Sequence, residues 1–532
     1  MSDHSKEWWR GAALYHIYPL SFADSNNDGW GDLQGIIAKL EYVSSLGVDG
    51  IWLSPFFESP LQDFGYDTTN HKGVDPLFGS LEDFDQLIEQ AHALDLKVIV
   101  DQVYTYTSNR HHWFRDSRRL RNGKEDWYVW ADAKPDGSPP NNWLAIFGGS
   151  AWEWDTVRGQ YYMTHFMPAM PHLNVRNPDV QEALLDSSRF WLERGADGFR
   201  LDVINLAMVD PNLPDNPRVE NVAAFLVPSQ LQHLKYSGSL PENHAFIRRI
   251  RLLADEEPGR FLLGEVSSRD PMQTAREYST GADRLNSAYF LLNAGCELLT
   301  ANQLRTELEA WNDDDSWPTW AFSNHDSVRG PTRCGGSAPS PELARLLLAV
   351  LAMSRGTILI YQGDELGLPD ADLPFQSLRD PASRRFYPDY LQRDGARTPM
   401  PWSGGSPNAG FSEATPWLPV PGVHCALAAD MQEADDSSTL AWTRRLLDLR
   451  RREPAIRTGD IQFLASRDPL LAFKRSKAGS RLACVFNVSP KPTEWKPADA
   501  PVRKAKLASD ASIGHDGGVE LGPYGFACLE VE

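Results

Sequence analysis

Lys97-Val-Ile-Val-Asp-Gln-Val103 is apolar at consecutive positions, so it reads as a strand buried on both faces, as strands of parallel sheets are. The segment before it is patterned as a helix, with Ser80 placed to cap it and Phe84, Leu87, Ile88, Ala91 and Leu94 along one face. Upstream, Ala13–Tyr18 and Gly50-Ile-Trp-Leu-Ser54 read as two earlier strands. Between them runs one helix, with Leu33, Ile36, Ile37, Leu40 and Val43 at helical spacing and Gly47 ending it. Strand and helix in alternation argue for a parallel sheet.

Downstream the rhythm breaks. Residues 104–174 are rich in Trp, Tyr, Pro, Gly and Asn, with no long helical pattern, a stretch too long for a loop and read as a small inserted domain. Regularity resumes at Asn177-Pro178, a cap followed by proline at the first helical position. Five more strands follow, at Gly198–Val203, Phe261–Val266, Ser287–Phe290, Trp320–His325 and Thr357–Gln362. Eight strands are the count of a closed barrel. The predicted fold class is therefore α/β, a (β/α)8 TIM barrel over 1–103 and 175–457, with the insert at 104–174 following strand 3. From 458 to 532 apolar and polar residues alternate without helical pattern, which predicts a C-terminal antiparallel β domain.

The 532 residues carry a formal charge of −20, from 72 acidic and 52 basic side chains. That balance disfavours nucleic acid and anionic membrane as partners and suits a neutral small molecule. The N-terminus lacks a signal-peptide pattern, and no run approaches the roughly 18 apolar residues of a membrane span. Cys296, Cys334, Cys425, Cys484 and Cys528 are scattered without metal-type spacing and read as reduced thiols, so the expected compartment is the cytoplasm.

Four of the predicted strands end on acids: Asp101, Asp202, Glu265 and Asp326. A single aspartate there is as often a helix cap, but capping explains neither Arg200 two residues before Asp202 nor the Asn-His-Asp run ending at Asp326. Glycoside hydrolysis needs such a set, with one ionised carboxylate to attack the anomeric carbon and one protonated to release the leaving oxygen. Arg200 shares a strand face with Asp202 and would keep it ionised. Glu265 follows the apolar Phe261-Leu-Leu-Gly264, an approach that suits the acid.

Gly198-Phe-Arg-Leu-Asp202, Gly264-Glu265 and Ser323-Asn-His-Asp326 resemble the catalytic segments of the α-amylase superfamily, glycoside hydrolase family 13. Asp63-Phe-Gly-Tyr-Asp67, Tyr361-Gln-Gly-Asp-Glu-Leu-Gly367 and Arg393-Asp-Gly-Ala-Arg-Thr-Pro-Met-Pro-Trp402 are similar to the oligo-1,6-glucosidase and bacterial α-glucosidase branch. The resemblance implies a retaining, exo-acting α-glucosidase with Asp202 as nucleophile, Glu265 as acid/base and Asp326 as transition-state stabiliser. Arg200 and His325 would line subsite −1 with Tyr66, Asp101, Tyr106, Phe166, His172 and Val203, while Asp63 and Arg397 would clamp the non-reducing-end hydroxyls. A valine at position 203 accompanies α-1,6 cleavage in this branch. The expected partner is a small oligosaccharide or glucoside, met by a monomer or homodimer.

Asp24, Asn26, Asp28, Trp30 and Asp32 alternate around glycines at a spacing suited to a hard cation. The resemblance implies a structural Ca²⁺ or Mg²⁺ bracing the first loop. The chain departs from the family at Tyr106, where a histidine usually meets the sugar's 6-hydroxyl, and at Met170 and His172, usually Gln and Asp. These departures predict altered recognition at subsite −1, with His172 standing in for the missing histidine. Rival activities on the same scaffold are a transglucosylase or a sucrose isomerase. A non-catalytic barrel like the transporter heavy chains is the distant alternative.

Overall fold

The computed structural model describes residues 7–220, 228–294, 298–312, 315–336, 340–389, 393–496, 502–514 and 517–531. Its centre is a closed parallel barrel of eight strands, each paired with its sequence neighbours. They are β1 (Ala13–Ile17), β2 (Gly50–Leu53), β3 (Lys97–Val103), β4 (Gly198–Asp202), β5 (Phe261–Gly264), β6 (Ser287–Leu291), β7 (Thr319–Ala321) and β8 (Thr357–Tyr361). Leu14, Trp52, Ile99, Phe261, Leu263 and Leu359 form a buried cluster of their own, while a larger core includes Tyr15, Ile51, Val98, Val100, Leu201 and Ile360. Neighbouring residues of one strand thus belong to different cores, which is why strands such as β3 read as continuously apolar.

The helix at Leu81–Ala93 has the expected cap, strengthened by a reciprocal bond between Ser80 and Asp83. Asn177 caps the helix Pro178–Glu193 by accepting from the Asp179 amide. The single helix expected across Leu33 to Val43 is two short ones, Leu33–Ala38 and Leu40–Ser45. Lys39 between them lies at φ −112°, ψ 4°, outside helical geometry, yet the apolar stripe stays buried on both.

After β3 the chain forms a small antiparallel sheet of Trp130–Ala131, Trp152–Asp155 and Gln160–Met163. A second excursion after β4, unforeseen from sequence, packs against it. Trp143 Nε1 donates to Pro214 O at 2.8 Å, and Asn142 and Asn216 exchange bonds at 2.8 and 3.0 Å. Beyond the barrel lies an antiparallel sheet of β9 (Asp460–Phe463), β10 (Leu470–Lys477), β11 (Ser480–Asn487), β12 (Thr493–Trp495), β13 (Val502–Ile513) and β14 (Val519–Val531). Cys334, Cys425, Cys484 and Cys528 are free thiols, whereas Cys296 lies outside the described residues. Among the described residues, no helix is long and apolar enough to cross a membrane.

Candidate active site

Strand register gathers the polar cluster. In the β3–β4 ladder Asp101 pairs with Arg200 and Val103 with Asp202, while Leu263 of β5 faces Arg200 from the other side. Arg200 and Asp202 are two residues apart and share a strand face. The Arg200 side chain is fully buried, its guanidinium 5.0 Å from the centre of the Trp52 ring. One of its terminal nitrogens donates to Asp101 Oδ1 and to Asp202 Oδ1, both at 2.8 Å. The other donates to Glu265 Oε2. A single guanidinium thus joins three acids from the ends of three strands.

Arg200 holds Asp202, as its place two residues before it on the strand predicted, and binds Asp101 and Glu265 besides. Burial pushes the Asp202 carboxyl well up from the usual aspartate range; Arg200 pulls it down, and Glu265 and Asp101 push it up again. Asp101 is raised to about 7, by burial first and against the pull of Arg200. Asp101 and Asp202 thus compete with Glu265 for one cation, and burial opposes the ionisation of both aspartates.

Glu265 stands one residue past β5, and its surroundings are polar rather than apolar. It accepts from Tyr289 Oη at 2.7 Å and from the Val203 amide at 3.2 Å, besides Arg200. Val203 is in the left-handed region at φ 33°, ψ 44°, a strained setting for a β-branched residue. That kink turns its amide toward Glu265, and the chain leaves β4 through it.

Across the barrel mouth, His325 and Asp326 follow β7. His325 Nε2 lies 3.3 Å from Asp326 Oδ2 and 2.6 Å from the Tyr66 hydroxyl, which itself donates to Asp101 Oδ2 at 3.1 Å. Tyr66 and His325 stack with centroids 5.4 Å apart. Burial pushes the His325 imidazole well below its usual range, while the neighbouring Asp326 charge pulls the other way. Burial opposes ionisation of Asp326, but the His325 ring and the Arg393 and Arg397 guanidiniums outweigh it and hold the carboxyl well below the usual range.

Arg397 donates to Asp326 Oδ1 and, at 2.6 Å, to the His325 carbonyl. Asp63 Oδ1 accepts from Arg393 at 2.8 Å, and Arg393 also reaches Asp326 Oδ1 at 2.9 Å and Asp380 at 3.1 Å. Arg393, passed over in the sequence, ties Asp63 to Asp326 and so joins the two residues, Asp63 and Arg397, expected to clamp the sugar's hydroxyls. Its signal was the Arg-x-x-x-Arg spacing of the 393–397 run. Tyr289 was also missed; its signal was a position two residues past Ser287, on the same face of β6.

Tyr106, Phe166, Met170, Val203 and Tyr66 belong to one buried cluster. The Tyr106 hydroxyl donates to Asp202 Oδ2 at 2.6 Å. His172 does not reach the acids. Its backbone bridges to that of Tyr106, but its Nδ1 lies 3.2 Å from His165 Nδ1, and His165 Nε2 meets the Ser237 carbonyl at 2.7 Å. His172 also lines a separate cavity of about 270 Å³ with Glu125, Arg158 and Arg176. It therefore does not stand in for the family histidine.

In the first loop, Asp24 accepts the amides of Asn26, Asn27 and Gly29, and Asn26 Oδ1 accepts that of Asp28. Trp30 donates its amide to Asp28 and stacks on Trp417 at 5.4 Å. Asp32 is buried, one oxygen capping the helix at Gly35 and the other taking two bonds from Ser25. The side-chain donors are all hard oxygens, as Ca²⁺ or Mg²⁺ requires. Among the described residues, no three acidic side chains converge as a ligand set.

Comparison with known proteins follows the same lines. A family model described as the catalytic domain of α-amylase matches residues 16–459. A probable α-glucosidase of Rhizobium meliloti (strain 1021) is 48% identical over 498 residues, spanning 92% of this chain and 90% of that relative. An oligo-1,6-glucosidase of Heyndrickxia coagulans is 35% identical over 524 residues, spanning 91% and 92%. The crystal structure of the α-glucosyl transfer enzyme XgtA superposes with a TM-score of 0.94 at 44% identity, covering 99% of this chain and all of that one.

Proposed function

The chain belongs to the α-amylase family of glycoside hydrolases, and from that premise we propose that it is a retaining, exo-acting α-glucosidase acting on small saccharides or glucosides. The observation that carries this reading is the Arg200 guanidinium shared by Asp202 and Glu265. A common cation keeps the two carboxylates close, as in retaining enzymes, where they lie roughly 5–5.5 Å apart, not at the ~6.5–9.5 Å that admits water between them in inverting ones.

In the proposed reaction an Asp202 oxygen bonds to the anomeric carbon as the glycosidic bond breaks, and the departing oxygen takes the Glu265 proton. Glu265, now a carboxylate, then takes a proton from water as that water displaces Asp202, and the two inversions give net retention. Tyr289 and the Val203 amide keep Glu265 oriented through both steps. Asp326, held ionised by Arg393 and Arg397, presents a fixed negative charge to the oxocarbenium-like transition state. Asp63, paired to Arg393, closes the far end of the pocket against longer chains.

Release of p-nitrophenol from p-nitrophenyl α-glucoside, with Asp202→Asn as the blank, tests this reading. Release lost in the variant supports it; none from folded wild type sinks it. Transfer of glucose to an alcohol in place of water is the second reading, favoured by the likeness to a glucosyl transfer enzyme. Product analysis with and without added alcohol separates the two. We extend the proposal to α-1,6 preference through Val203, since its side chain is buried beside the nucleophile. Val203→Thr should lower the isomaltose-to-maltose activity ratio, and an unchanged ratio removes that argument. A Ca²⁺ or Mg²⁺ at Asp24, Asn26, Asp28 and Asp32, with the backbone of Trp30, is proposed as a structural brace outside the chemistry.

A further inference from the structure

Both oxygens of Asp202 are held. Oδ1 receives the Arg200 guanidinium at 2.8 Å, and Oδ2 receives the Tyr106 hydroxyl at 2.6 Å. Arg200 divides itself among three acids, whereas Asp202 is the described hydrogen-bond acceptor of the Tyr106 hydroxyl. Tyr106 is 2% exposed and its ring meets Phe166 edge-on at 5.2 Å. Burial and the Asp202 charge hold the phenol protonated, hence a donor.

The three positions where the sequence departs from its family make one construction around this contact. Met170 is fully buried in the same apolar cluster as the tyrosine ring. His172 pairs its backbone with that of Tyr106 and turns its side chain away to His165. The departures therefore seat a hydroxyl on the nucleophile.

We propose that Tyr106 is a positioning residue for the nucleophile, its hydroxyl orienting Asp202 before attack and easing its departure from the sugar in the second half-reaction. This rests on the glucosidase reading. A hydrogen bond to an ionised acceptor is about twice as strong as one to a neutral acceptor. The Tyr106 bond therefore stabilises the free Asp202 carboxylate more than the glycosyl ester. It restrains formation of the ester, in which the Asp202–carbon bond forms as the glycosidic bond breaks. It assists hydrolysis, in which water bonds to that carbon, its proton passes to Glu265 and the electron pair returns to Asp202. The charged and titratable groups facing Asp202 include Arg200 of its own strand, Asp101 of β3, Glu265 past β5, Tyr66 from the loop after β2 and Tyr106 itself.

The test is rapid-quench kinetics with p-nitrophenyl α-glucoside on wild type and Tyr106→Phe, with melting curves to verify the fold. In the variant the ratio of deglycosylation to glycosylation rate should fall by about tenfold or more, the scale of one hydrogen bond to a charged group. A p-nitrophenol burst matching the enzyme concentration should appear, and the glycosyl-enzyme should be visible by intact mass. The acid limb of kcat/KM should move to higher pH, because the carboxylate has lost a donor. Should Tyr106→Phe fail to fold, Tyr106→Leu removes the same hydroxyl without supplying another donor, with the same expected result. A folded variant with ratio and acid limb unchanged overturns the role of Tyr106 alone. A wild type that releases no p-nitrophenol overturns the glucosidase reading, and this inference with it.

Discussion

Arg393 carries the sharpest prediction at the scale of single residues. Its guanidinium spans Asp63, Asp326 and Asp380, a geometry a lysine ammonium cannot reproduce. Arg393→Lys should keep the fold and lower kcat/KM about 10- to 100-fold, because one ammonium cannot hold Asp63, Asp326 and Asp380 together. Arg393→Ala would strand the buried Asp63 and Asp380, a loss of about 3–5 kcal/mol for breaking a buried pair. Kinetics and melting curves on both variants separate the catalytic part from the structural one. A lysine variant with wild-type kcat/KM would show that Arg393 holds only the fold.

At the scale of elements, the loops do what the strands cannot. Barrel strands place Asp101, Arg200 and Asp202 by register, but Asp63, Tyr106, Asp326 and Arg393 arrive on connections. The loop Asp24–Asp32 lies on the connection between β1 and β2. Asp24 is partly exposed and Asn26 and Asp28 are exposed, while Asp32 is buried at the cap, so a cation there would tie the loop's surface to its root. Removing divalent ions with EDTA should lower the melting temperature by a few degrees, and Ca²⁺ or Mg²⁺ should restore it with little change in kcat for the folded enzyme. Unchanged melting and no detectable bound metal would reject the brace.

The whole molecule carries its own pH dependence in buried histidines. Burial lowers His71, His165 and His424 to about 4 each. Their folded values lie below the ordinary 6.5, so between these limits the unfolded chain binds more protons. Their stabilising contribution is present above about pH 6.5 and is lost as pH falls toward 4, at up to about 1.4 kcal/mol per unit for each group. Melting temperature should drop over that window, and His165→Asn should flatten the slope. The C-terminal sheet is fastened on the same scale. Arg475 of β10 is fully buried and donates to the carbonyls of Met353, Gly459 and Asp460. Arg475→Met leaves all three without that donor, so denaturant unfolding should show a loss of about 3 kcal/mol or more.

The sequence alone determined the barrel and the acids at its mouth, since both are written in local terms. A strand's two-residue period puts Arg200 and Asp202 on one face, runs such as Lys97–Val103 announce burial, and the motifs around Asp202, Glu265 and Asp326 are contiguous. Only the tertiary structure decided who pairs with whom. Arg393 and Asp63 stand 330 positions apart and meet because two loops cross one barrel mouth. His172 reads as a candidate ligand by type, yet its backbone pairing sends the imidazole to His165. Tyr106 reads as the loss of a histidine until its hydroxyl is found on Asp202. Hydrogen bonds and ion pairs form over about 3 Å and depend on direction, so a side chain's partner is set by its final place in space.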